Sequence, residues 1–353
     1  MNVLVTGSNG QLGSEIKELV ESNEIFTSLK GKDKILLAKS MNSTCNHANE
    51  APTSSVVNSS HSMLDMESLN FFFTDRDILD ITDFKAVNKY IQDNQIKIII
   101  NCAAYTAVDK AESDEKNAQL INHLAVKNLA QISKEQNIKL IHISTDYVFD
   151  GTNHKPYTEQ DRVNPNSVYG KTKLDGEKAM IEINPANSII IRTSWVYSSY
   201  GVNFVKTMLR LGKEKEELGV IFDQVGTPTY ARDLAKAILE IIIQKGKVET
   251  LLPKNSDNAS RSEVSTSPDA KVQIYNYSNE GVLSWYDFAK EIMRMAKLLC
   301  YIKPIETKDY PTPAKRPHYS LLNKSKIKSA FDLKIPYWKD SLDECLRKLN
   351  ERK

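Results

Sequence analysis

Short apolar segments alternate with amphipathic segments along the N-terminal half of the chain. The first apolar segment is Val3–Val5, and a helical spacing of apolar residues follows it from Leu12 to Val20. Helices are also predicted over about Ser113–Gln136 and from near Tyr169 onwards. Further strands are predicted at four apolar segments: Leu69–Thr74, Ile96–Asn101, Lys139–Ser144 and Ser188–Arg192. Because these strands are apolar on both faces, they predict a Rossmann-type α/β fold, a doubly wound parallel sheet with helices on both sides.

The pattern changes after Trp195, where elements become shorter and less regular. The predicted elements are helices at Asn203–Glu216, Ala231–Gln244, Ser284–Leu299 and near Ser341–Leu349, with strands at Val220–Phe222 and Gln273–Tyr277. We therefore expect a main domain over residues 1–195 and a smaller C-terminal α/β lobe over 196–353, some of whose segments return to the main sheet. Two polar insertions rich in Ser, Asn and Thr are predicted at about 27–68 and 246–271.

Composition excludes several classes of protein. Among 353 residues, 47 basic side chains face 45 acidic ones, and a net charge of +2 gives no electrostatic reason to expect nucleic acid or an anionic membrane as a partner. No apolar run reaches the roughly 18–20 residues of a membrane helix, and the N-terminus lacks the pattern of a secretory signal. The four cysteines are too sparse for a disulfide framework, so we expect a cytoplasmic protein with reduced thiols.

A glycine-rich turn joins the first strand to the first helix. Gly7, Gly10 and Gly13 form a GxxGxxG pattern, in which the missing side chains allow a sharp turn and close approach of the backbone to a pyrophosphate. The free N–H groups and the dipole of the helix N-terminus then stabilise the phosphate charge. A tight turn without a ligand is the alternative, but the strand–turn–helix context favours dinucleotide binding.

An acidic residue at the end of the second strand is the next expected part of a dinucleotide site. Asp75 occupies that place, about 60 residues beyond the glycines, and the first polar insertion accounts for the unusual separation. Arg76 follows directly, and its guanidinium suits the 2′-phosphate of NADP. This pair leaves NAD and NADP both open, and two strand-end surface charges are the alternative interpretation.

Two further motifs carry hydroxyl, carboxyl and amine groups. Thr145 and Asp146 follow a predicted strand, at the sheet edge where ligands bind in open α/β folds. Tyr169 and Lys173 are four residues apart and share one helix face. An ammonium beside a phenol lowers its pKa from about 10, so Lys173 is expected to make Tyr169 a usable acid or base. A solvated helix face is the alternative for a YxxxK pair on its own.

Taken in order, these motifs resemble the extended short-chain dehydrogenase/reductase family, and within it the dTDP-4-dehydrorhamnose reductases. The resemblance includes the glycine turn and segments NCAAYTAVDKAE, STDYVFDG, VYGKTKLDGE, RTSWVY, NFVKTML, FDQVGTPTYARDLA, GVLSWYDFA and RPHYSLL. It covers nearly the whole chain outside the two insertions. YxxxK with GxxGxxG identifies only the superfamily, whereas STDYVFDG, RTSWVY and DQVGTPT are more specific.

The resemblance implies a site for NADPH or NADH and a dTDP-sugar substrate. The implied catalytic residues are Thr145, Tyr169 and Lys173. The implied cofactor residues are Gly7, Gly10, Gln11, Leu12, Gly13, Asp75, Arg76, Asp80, Ile81, Cys102, Ala103, Ala104, Tyr169 and Lys173. The implied substrate residues are Thr145, Asp146, Trp195, Asn203 and Arg316, with Trp195 as an apolar wall and Arg316 suited to a diphosphate. A core indole and a surface ion pair are the alternatives for these last two residues.

In the reaction that the resemblance implies, hydride reaches C4 of a keto sugar, Tyr169 protonates the oxygen, Lys173 assists Tyr169 and Thr145 stabilises the developing charge. An NAD-dependent epimerase or dehydratase and a non-catalytic NADP-binding subunit are the alternatives. Some members dimerise through a metal held by glutamates. Glu15 matches one such position, but the second aligns with Arg232, whose charge argues against Mg²⁺ here. No histidine spacing indicates another metal site, and we expect a monomer or a homodimer.

Overall fold

The fold is described from a computed structural model that covers residues 1–22, 69–250 and 271–352. The predicted insertion at 27–68 lies outside these residues, and so do residues 251–270 of the second insertion. The start of that second insertion was predicted wrongly, because the helix Ala231–Thr250 extends into it.

Six parallel strands form the central sheet, in the order β10-β5-β4-β3-β1-β2. The strands are β1 Asn2–Thr6, β2 Asn70–Thr74, β3 Ile96–Asn101, β4 Lys139–Thr145, β5 Ile189–Thr193 and β10 Gln273–Tyr277. All carboxyl ends therefore lie at one edge of the sheet, which is where ligands bind in such folds. The predicted parallel Rossmann-type sheet is confirmed.

Helices cover both faces of this sheet because alternate strand residues face opposite ways. Val3, Val5 and Ile100 pack with helices α1 and α8 on one face, whereas Leu4 and Ile99 pack with α2 and α5 on the other. The helices of the main domain are α1 Gln11–Glu21, α2 Phe84–Asp93, α3 Val108–Ala111, α4 Glu115–Gln119, α5 Ala125–Glu135, α6 Val168–Ile183 and α8 Ala231–Thr250. Each fully buried aliphatic side chain of these cores stabilises the fold by roughly 1.5–3 kcal/mol.

The single long helix predicted over Ser113–Gln136 is interrupted. A π-helical turn, Leu120–Leu124, separates α4 from α5. It includes Asn122, which is buried and hydrogen bonds the backbone N–H and C=O of Tyr105 and the hydroxyl of Thr172. π-helical turns of this kind are frequent at functional sites, and this one fixes the loop that follows β3.

A second hydrophobic core lies among the elements that follow β5. Phe288, Ile292, Trp338 and Leu342 are buried there. Its helices are α7 Phe204–Glu214, α9 Trp285–Ala296 and α11 Trp338–Glu351, with α10 Ser325–Phe331 packed against β10 of the main sheet. Its strands are β6 Val196–Tyr197, β7 Glu217–Ile221, β8 Val225–Gly226, β9 Thr229–Tyr230, β11 Leu283–Ser284 and β12 Tyr301–Ile305. They form three small two-stranded sheets.

Candidate active site

A cavity of about 640 Å³ opens at the carboxyl ends of β1, β2 and β3. Gly7 has a φ of +66°, and a Cβ on it would lie 2.7 Å from the backbone nitrogen of Ala103. Glycine is therefore required for the turn to pack on the end of β3. Gly13 is equally confined, because its Cβ would lie 2.4 Å from the Gly7 carbonyl oxygen.

The N-terminus of α1 fits a phosphate group. Its N-cap is Gly10, which lines the cavity and offers no side-chain hydrogen bond to the first N–H groups of the helix. Free N–H groups at a helix N-terminus bind anions. Of the predicted cofactor residues that follow Gly10, Leu12 packs its side chain into the core and Gly13 has none. Only the backbone N–H groups of these two residues are therefore suited to a cofactor phosphate.

Asp75 and Arg76 both line the cavity, as the sequence predicts. One Asp75 carboxylate oxygen accepts the backbone N–H groups of Asp77 and Ile78 at 3.0 Å each, and the other accepts the side-chain amide of Asn9. The Arg76 side chain is 86% exposed, with only a 3.5 Å contact to Asp80. The carboxylate is thus used to hold the turn, while the guanidinium is open to a ligand.

The opposite wall of the cavity consists of small residues. Cys102, Ala103 and Ala104 follow β3 and line the cavity together with Asp80 and Ile81. Burial raises the pKa of the Cys102 thiol to about 12, so this cysteine stays neutral and serves as a small side chain. Sequence reasoning missed other lining residues, including Asn9, Tyr105, Lys110 and Asp114. The cavity thus combines the glycine turn, charged side chains and small residues that a dinucleotide site requires.

Thr145 and Tyr169 meet at the end of β4. Ser167 caps α6 by accepting the Gly170 N–H at 3.2 Å, which sets the start of the helix one residue before Tyr169. Burial raises the pKa of Tyr169 to about 12, and a hydrogen bond with Thr145 opposes that rise. Tyr169 is therefore a neutral phenol at physiological pH, the form that donates a proton.

Lys173 does not have the expected effect on Tyr169. Its ammonium nitrogen lies 2.6 Å from the Ile143 carbonyl oxygen and 3.3 Å from Nε2 of His142. The groups that shift the Tyr169 pKa are the buried surroundings, Thr145 and Asp146. The predicted lowering by Lys173 is wrong for this structure, because the amine is directed at β4. Burial also lowers the pKa of Lys173 to about 8.

A buried ion pair supports the end of β4 from below. Arg192 on β5 makes a bidentate contact with Glu177 on α6, with a shortest distance of 2.7 Å, and Ser144 donates to the same carboxylate at 2.5 Å. Arg192 and Glu177 are both almost fully buried. A buried pair of this kind is costly to break on one side, so it fixes α6 against the strand that carries Thr145.

Asp146 is buried beside Thr145, which donates to its Oδ1 at 3.0 Å. Its Oδ2 is buried without a hydrogen-bond partner within bonding distance. Burial raises the pKa of this carboxyl to about 6, and the hydroxyls of Ser320 and Thr145 act in the opposite direction. A carboxylate left incompletely satisfied at a strand end is suited to bind a substrate hydroxyl.

Trp195 is held in an unfavourable backbone conformation with φ +50°. Its indole stacks on Trp285, with ring centroids 3.7 Å apart, and remains partly exposed. Strain at a non-glycine residue is typical of functional sites. Trp285 was not singled out from the sequence, since a single aromatic residue on an amphipathic helix is more often a core residue.

The Asn203 side chain is hydrogen bonded to other groups of the protein. Its side-chain oxygen Oδ1 caps α7 by accepting the Lys206 N–H, and its Nδ2 donates to the Ser198 carbonyl oxygen at 2.7 Å and to Oε1 of Gln11 at 3.0 Å. The amide is thus engaged inside the protein, and the substrate contact of Asn203 stays a prediction. Asn203 instead connects the C-terminal lobe to the first residue of α1.

Arg316 is paired with another side chain of the site. Its two terminal nitrogens lie 3.0 and 2.7 Å from the carboxylate oxygens of Asp109 on α3. This pairing holds the pKa of the Asp109 carboxyl below its usual range. The predicted surface ion pair is thus present, and contact with a diphosphate requires Arg316 to share or exchange this partner.

Glu15, which matches a metal-binding position in some family members, is paired with the guanidinium of Arg232. Glu15 is fully buried, with Arg232 3.2 Å away and the Ser198 hydroxyl 2.6 Å away. Within residues 1–22, 69–250 and 271–352, no cluster of three or more His, Cys, Asp or Glu residues is arranged to hold a metal. In the same ranges, no helix combines the length and apolarity that crossing a bilayer requires.

Similarity to known proteins agrees with this geometry. The family model described as "RmlD substrate binding domain" matches residues 1–351. A dTDP-4-dehydrorhamnose reductase from Aggregatibacter actinomycetemcomitans is 39% identical over 270 residues, which are 75% of this chain and 85% of the relative.

Two solved structures of dTDP-4-dehydrorhamnose reductases are also similar. The one from Clostridium acetobutylicum is 36% identical with a TM-score of 0.75, over 99% of this chain and all of the other. The one from Bacillus anthracis, in complex with NADP, is 32% identical with a TM-score of 0.73, over 98% and 99% of the two chains. The chain therefore belongs to the dTDP-4-dehydrorhamnose reductase family.

Proposed function

We propose that this chain reduces the C4 keto group of dTDP-4-dehydro-6-deoxy-L-mannose to give dTDP-L-rhamnose, the last step of dTDP-L-rhamnose synthesis, using NADPH or NADH. The observation that carries the proposal is the position of Thr145 and Tyr169 on either side of Tyr147, at the sheet edge where the cavity beside the glycine turn also opens. The named activity of relatives about 40% identical supports it.

The residues of the chain supply the proton and the positioning. When bound beside Cys102–Ala104 at the end of β3, a reduced nicotinamide would supply the hydride. As C4 is reduced, the C4–O double bond becomes an alkoxide, and the Tyr169 O–H transfers its proton to that oxygen. The Thr145 hydroxyl, which donates to Asp146 in this structure, would stabilise the developing negative charge by turning its O–H to the sugar oxygen. Asp146 and Trp195 orient the sugar beside these hydroxyls.

We propose NADPH as the preferred cofactor. An acidic residue selects NAD when its carboxylate is free for the adenosine ribose, but the Asp75 carboxylate accepts three hydrogen bonds from the protein. The exposed Arg76 guanidinium beside it is suited to a 2′-phosphate. The NADP in the Bacillus anthracis relative supports this preference.

No observation favours an epimerase or dehydratase. Asp146 is followed by Tyr147 and Val148, so the strand end lacks a second acidic residue. A non-catalytic subunit would have no need of the Thr145–Tyr169 arrangement. A cytoplasmic location and a monomeric or homodimeric state belong to the same proposal, and gel filtration with light scattering measures the latter.

The experiment is oxidation of NADPH and NADH, followed at 340 nm, with a panel of dTDP-4-keto sugars. We expect Tyr169→Phe to lower kcat by about 10³-fold, since it removes only the proton donor. Tyr147→Phe is the matched control, because its ring lies 5.4 Å from that of Tyr169 and it should keep kcat within a few fold. Full activity of Tyr169→Phe would refute the mechanism, and no turnover of this sugar would refute the function.

A further inference from the structure

A network of hydrogen-bonded, buried polar side chains runs across three strands of the sheet beneath the site and ends at Lys173. The Thr6 hydroxyl on β1 lies 2.7 Å from Oδ1 of Asn101 on β3, and Nδ2 of Asn101 lies 3.1 Å from Nδ1 of His142 on β4. Nε2 of His142 lies 3.3 Å from Nζ of Lys173 on α6. All four side chains are at most 1% exposed. A polar network buried this completely must be internally satisfied.

The tautomer of His142 determines which groups of this network donate hydrogen bonds and which accept them. Burial and the charge of Lys173 hold its pKa well below 6.5, so the imidazole is neutral and carries one ring proton. With the amide of Asn101 oriented as in this structure, Thr6 donates to Oδ1 of Asn101 and Nδ2 of Asn101 donates to Nδ1 of His142. The proton of the ring is then on Nε2, which donates to Lys173. A neutral amine accepts that hydrogen bond, while an ammonium has no lone pair to accept it.

The opposite direction suits the ammonium. If the ring proton is on Nδ1 and the Asn101 amide is turned by half a rotation, Lys173 donates to Nε2, His142 donates to the amide oxygen, and the amide nitrogen donates to Thr6. A hydroxyl serves as donor or acceptor, so Thr6 can be the last group of the network in either arrangement. When the ammonium becomes the amine, Nε2 of His142 takes up one proton, Nδ1 releases one, and Lys173 loses one to the solvent side, so one proton leaves the network while the net charge of His142 stays zero.

We propose that His142 is a positioning residue that keeps Lys173 hydrogen bonded in both of its protonation states by exchanging ring tautomers. This inference rests on the proposed reductase function for its catalytic consequence only. Burial lowers the pKa of Lys173 to about 8, so both states are populated near physiological pH. The charge of Glu177, which is itself paired with Arg192, acts against this lowering of the Lys173 pKa.

The direct test is nitrogen-15 NMR of the histidine rings in the protein without cofactor or substrate, from pH 5.5 to 9.5. The expected result is a neutral His142 throughout, with its proton on Nδ1 below about pH 8 and on Nε2 above it. In Lys173→Met the pH-dependent exchange should disappear, and His142→Gln assigns the signal among the six histidines. Protonation of both nitrogens between pH 5.5 and 8, or one unchanging tautomer, would overturn the proposal.

Kinetics then separates positioning from a merely structural role. We expect His142→Leu to lower kcat by about 10²-fold, as displacement of an aligned group does, and to move the alkaline limb of the pH profile. His142→Gln should recover most of kcat and the wild-type limb, since an amide also offers one donor and one acceptor. If both variants lose activity equally with unchanged pH profiles, the positioning role is refuted. Because the NMR readout needs no turnover, it holds whichever sugar the enzyme uses, and inactive wild-type protein with the expected tautomer exchange would refute only the proposed function.

Discussion

On the cofactor side of the site the protein leaves backbone groups open, whereas on the substrate side it keeps most polar side chains paired with one another. The cofactor side comprises Gly7–Gly13, Asp75, Arg76 and Cys102–Ala104, and its helix N-terminus has no side-chain cap. The substrate side comprises Asp146, Trp195, Asn203 and Arg316. There Asn203 binds Gln11 and Arg316 binds Asp109.

This difference shows how the two ligands are recognised. A pyrophosphate can be held by backbone N–H groups whose positions follow from the turn alone. A sugar needs side chains from several loops, and these are held by contacts that must rearrange or be shared when the sugar binds. Variants on the cofactor side should therefore change binding directly, whereas variants on the substrate side should change both internal pairing and binding.

The largest expected effect is that of Gly10→Ala on cofactor binding. Gly10 has an ordinary φ of −77°, and an added Cβ would approach only the Gly7 carbonyl oxygen, at 3.2 Å. The protein should fold with a small loss of stability, but the methyl group would occupy the phosphate position, and we expect the Kd for NADPH to rise at least about 10²-fold. Fluorescence titration and thermal unfolding measure the two quantities.

Gly13→Ala is the matched control for that variant. Its Cβ would lie 2.4 Å from the Gly7 oxygen and 2.6 Å from the Ser8 Cα, so it should reduce the melting temperature itself. Unchanged NADPH affinity in Gly10→Ala would show that the cofactor does not use this open backbone, and equal melting temperatures for the two variants would show that Gly13 is not confined as the structure indicates.

The second expected effect concerns stability on the substrate side. The pKa of Asp146 is about 6 in the fold, against an ordinary 3.8, so folding favours its protonated form. This contribution to stability is fully present below about pH 4 and is lost as the pH rises through about 6. Asp146→Asn imitates the protonated form and should raise the free energy of unfolding at pH 8 by up to about 3 kcal/mol, since each pKa unit corresponds to about 1.4 kcal/mol.

At pH 4 the same substitution should change stability little, and it should lower kcat/KM for the sugar at every pH. Urea unfolding at pH 4, 6 and 8 provides the check. A loss of stability at pH 8 would mean that the ionised carboxylate is well satisfied by the protein, contrary to its unpartnered oxygen.

The accuracy of sequence reasoning follows the same division between the two sides. The alternation of apolar strands with amphipathic helices is a local pattern, so the parallel sheet was predicted correctly. The strand-end hydroxyl and the YxxxK helix are also local patterns, and the structure places Thr145 near Tyr169. The contacts of Lys173 with His142 and Ile143 were not predicted, because they depend on which strand lies under α6. The internal partner of Asn203 could not be predicted for the same reason, since Gln11 is 192 residues away.

Some signals for the missed residues were nevertheless present in the sequence. His142 is a polar residue inside the otherwise apolar strand KLIHIS, and Asn101 ends another apolar strand. A polar residue on a buried strand must find a partner, but spacing alone does not say which one. The domain division at residue 195 stays a prediction.

A third, smaller effect is expected when the pairing of Arg316 is changed. Arg316→Ala removes a cation suited to the diphosphate and should raise the KM for the dTDP-sugar about tenfold, with the KM for NADPH unchanged. Asp109→Asn leaves the cation but weakens its internal partner, so it should raise KM much less or lower it. Because the pair is partly exposed, neither variant should lose more than about 1 kcal/mol of stability. Equal increases in KM would mean that the pair acts only as a structural link.

The smallest expected effect is that of Arg76→Ala, which tests whether one exposed side chain adds specificity to an open backbone site. The guanidinium is solvated and has only a 3.5 Å contact with Asp80, so its contribution to binding a 2′-phosphate should be about 1 kcal/mol, or a five- to tenfold rise in the KM for NADPH. The KM for NADH should not change, because NADH lacks that phosphate. Arg76→Lys is the matched control and should show an intermediate KM, since it keeps the charge but loses the bidentate geometry. A parallel rise in both KM values would place Arg76 at the pyrophosphate instead, and the backbone of the glycine turn would then share that role with a side chain.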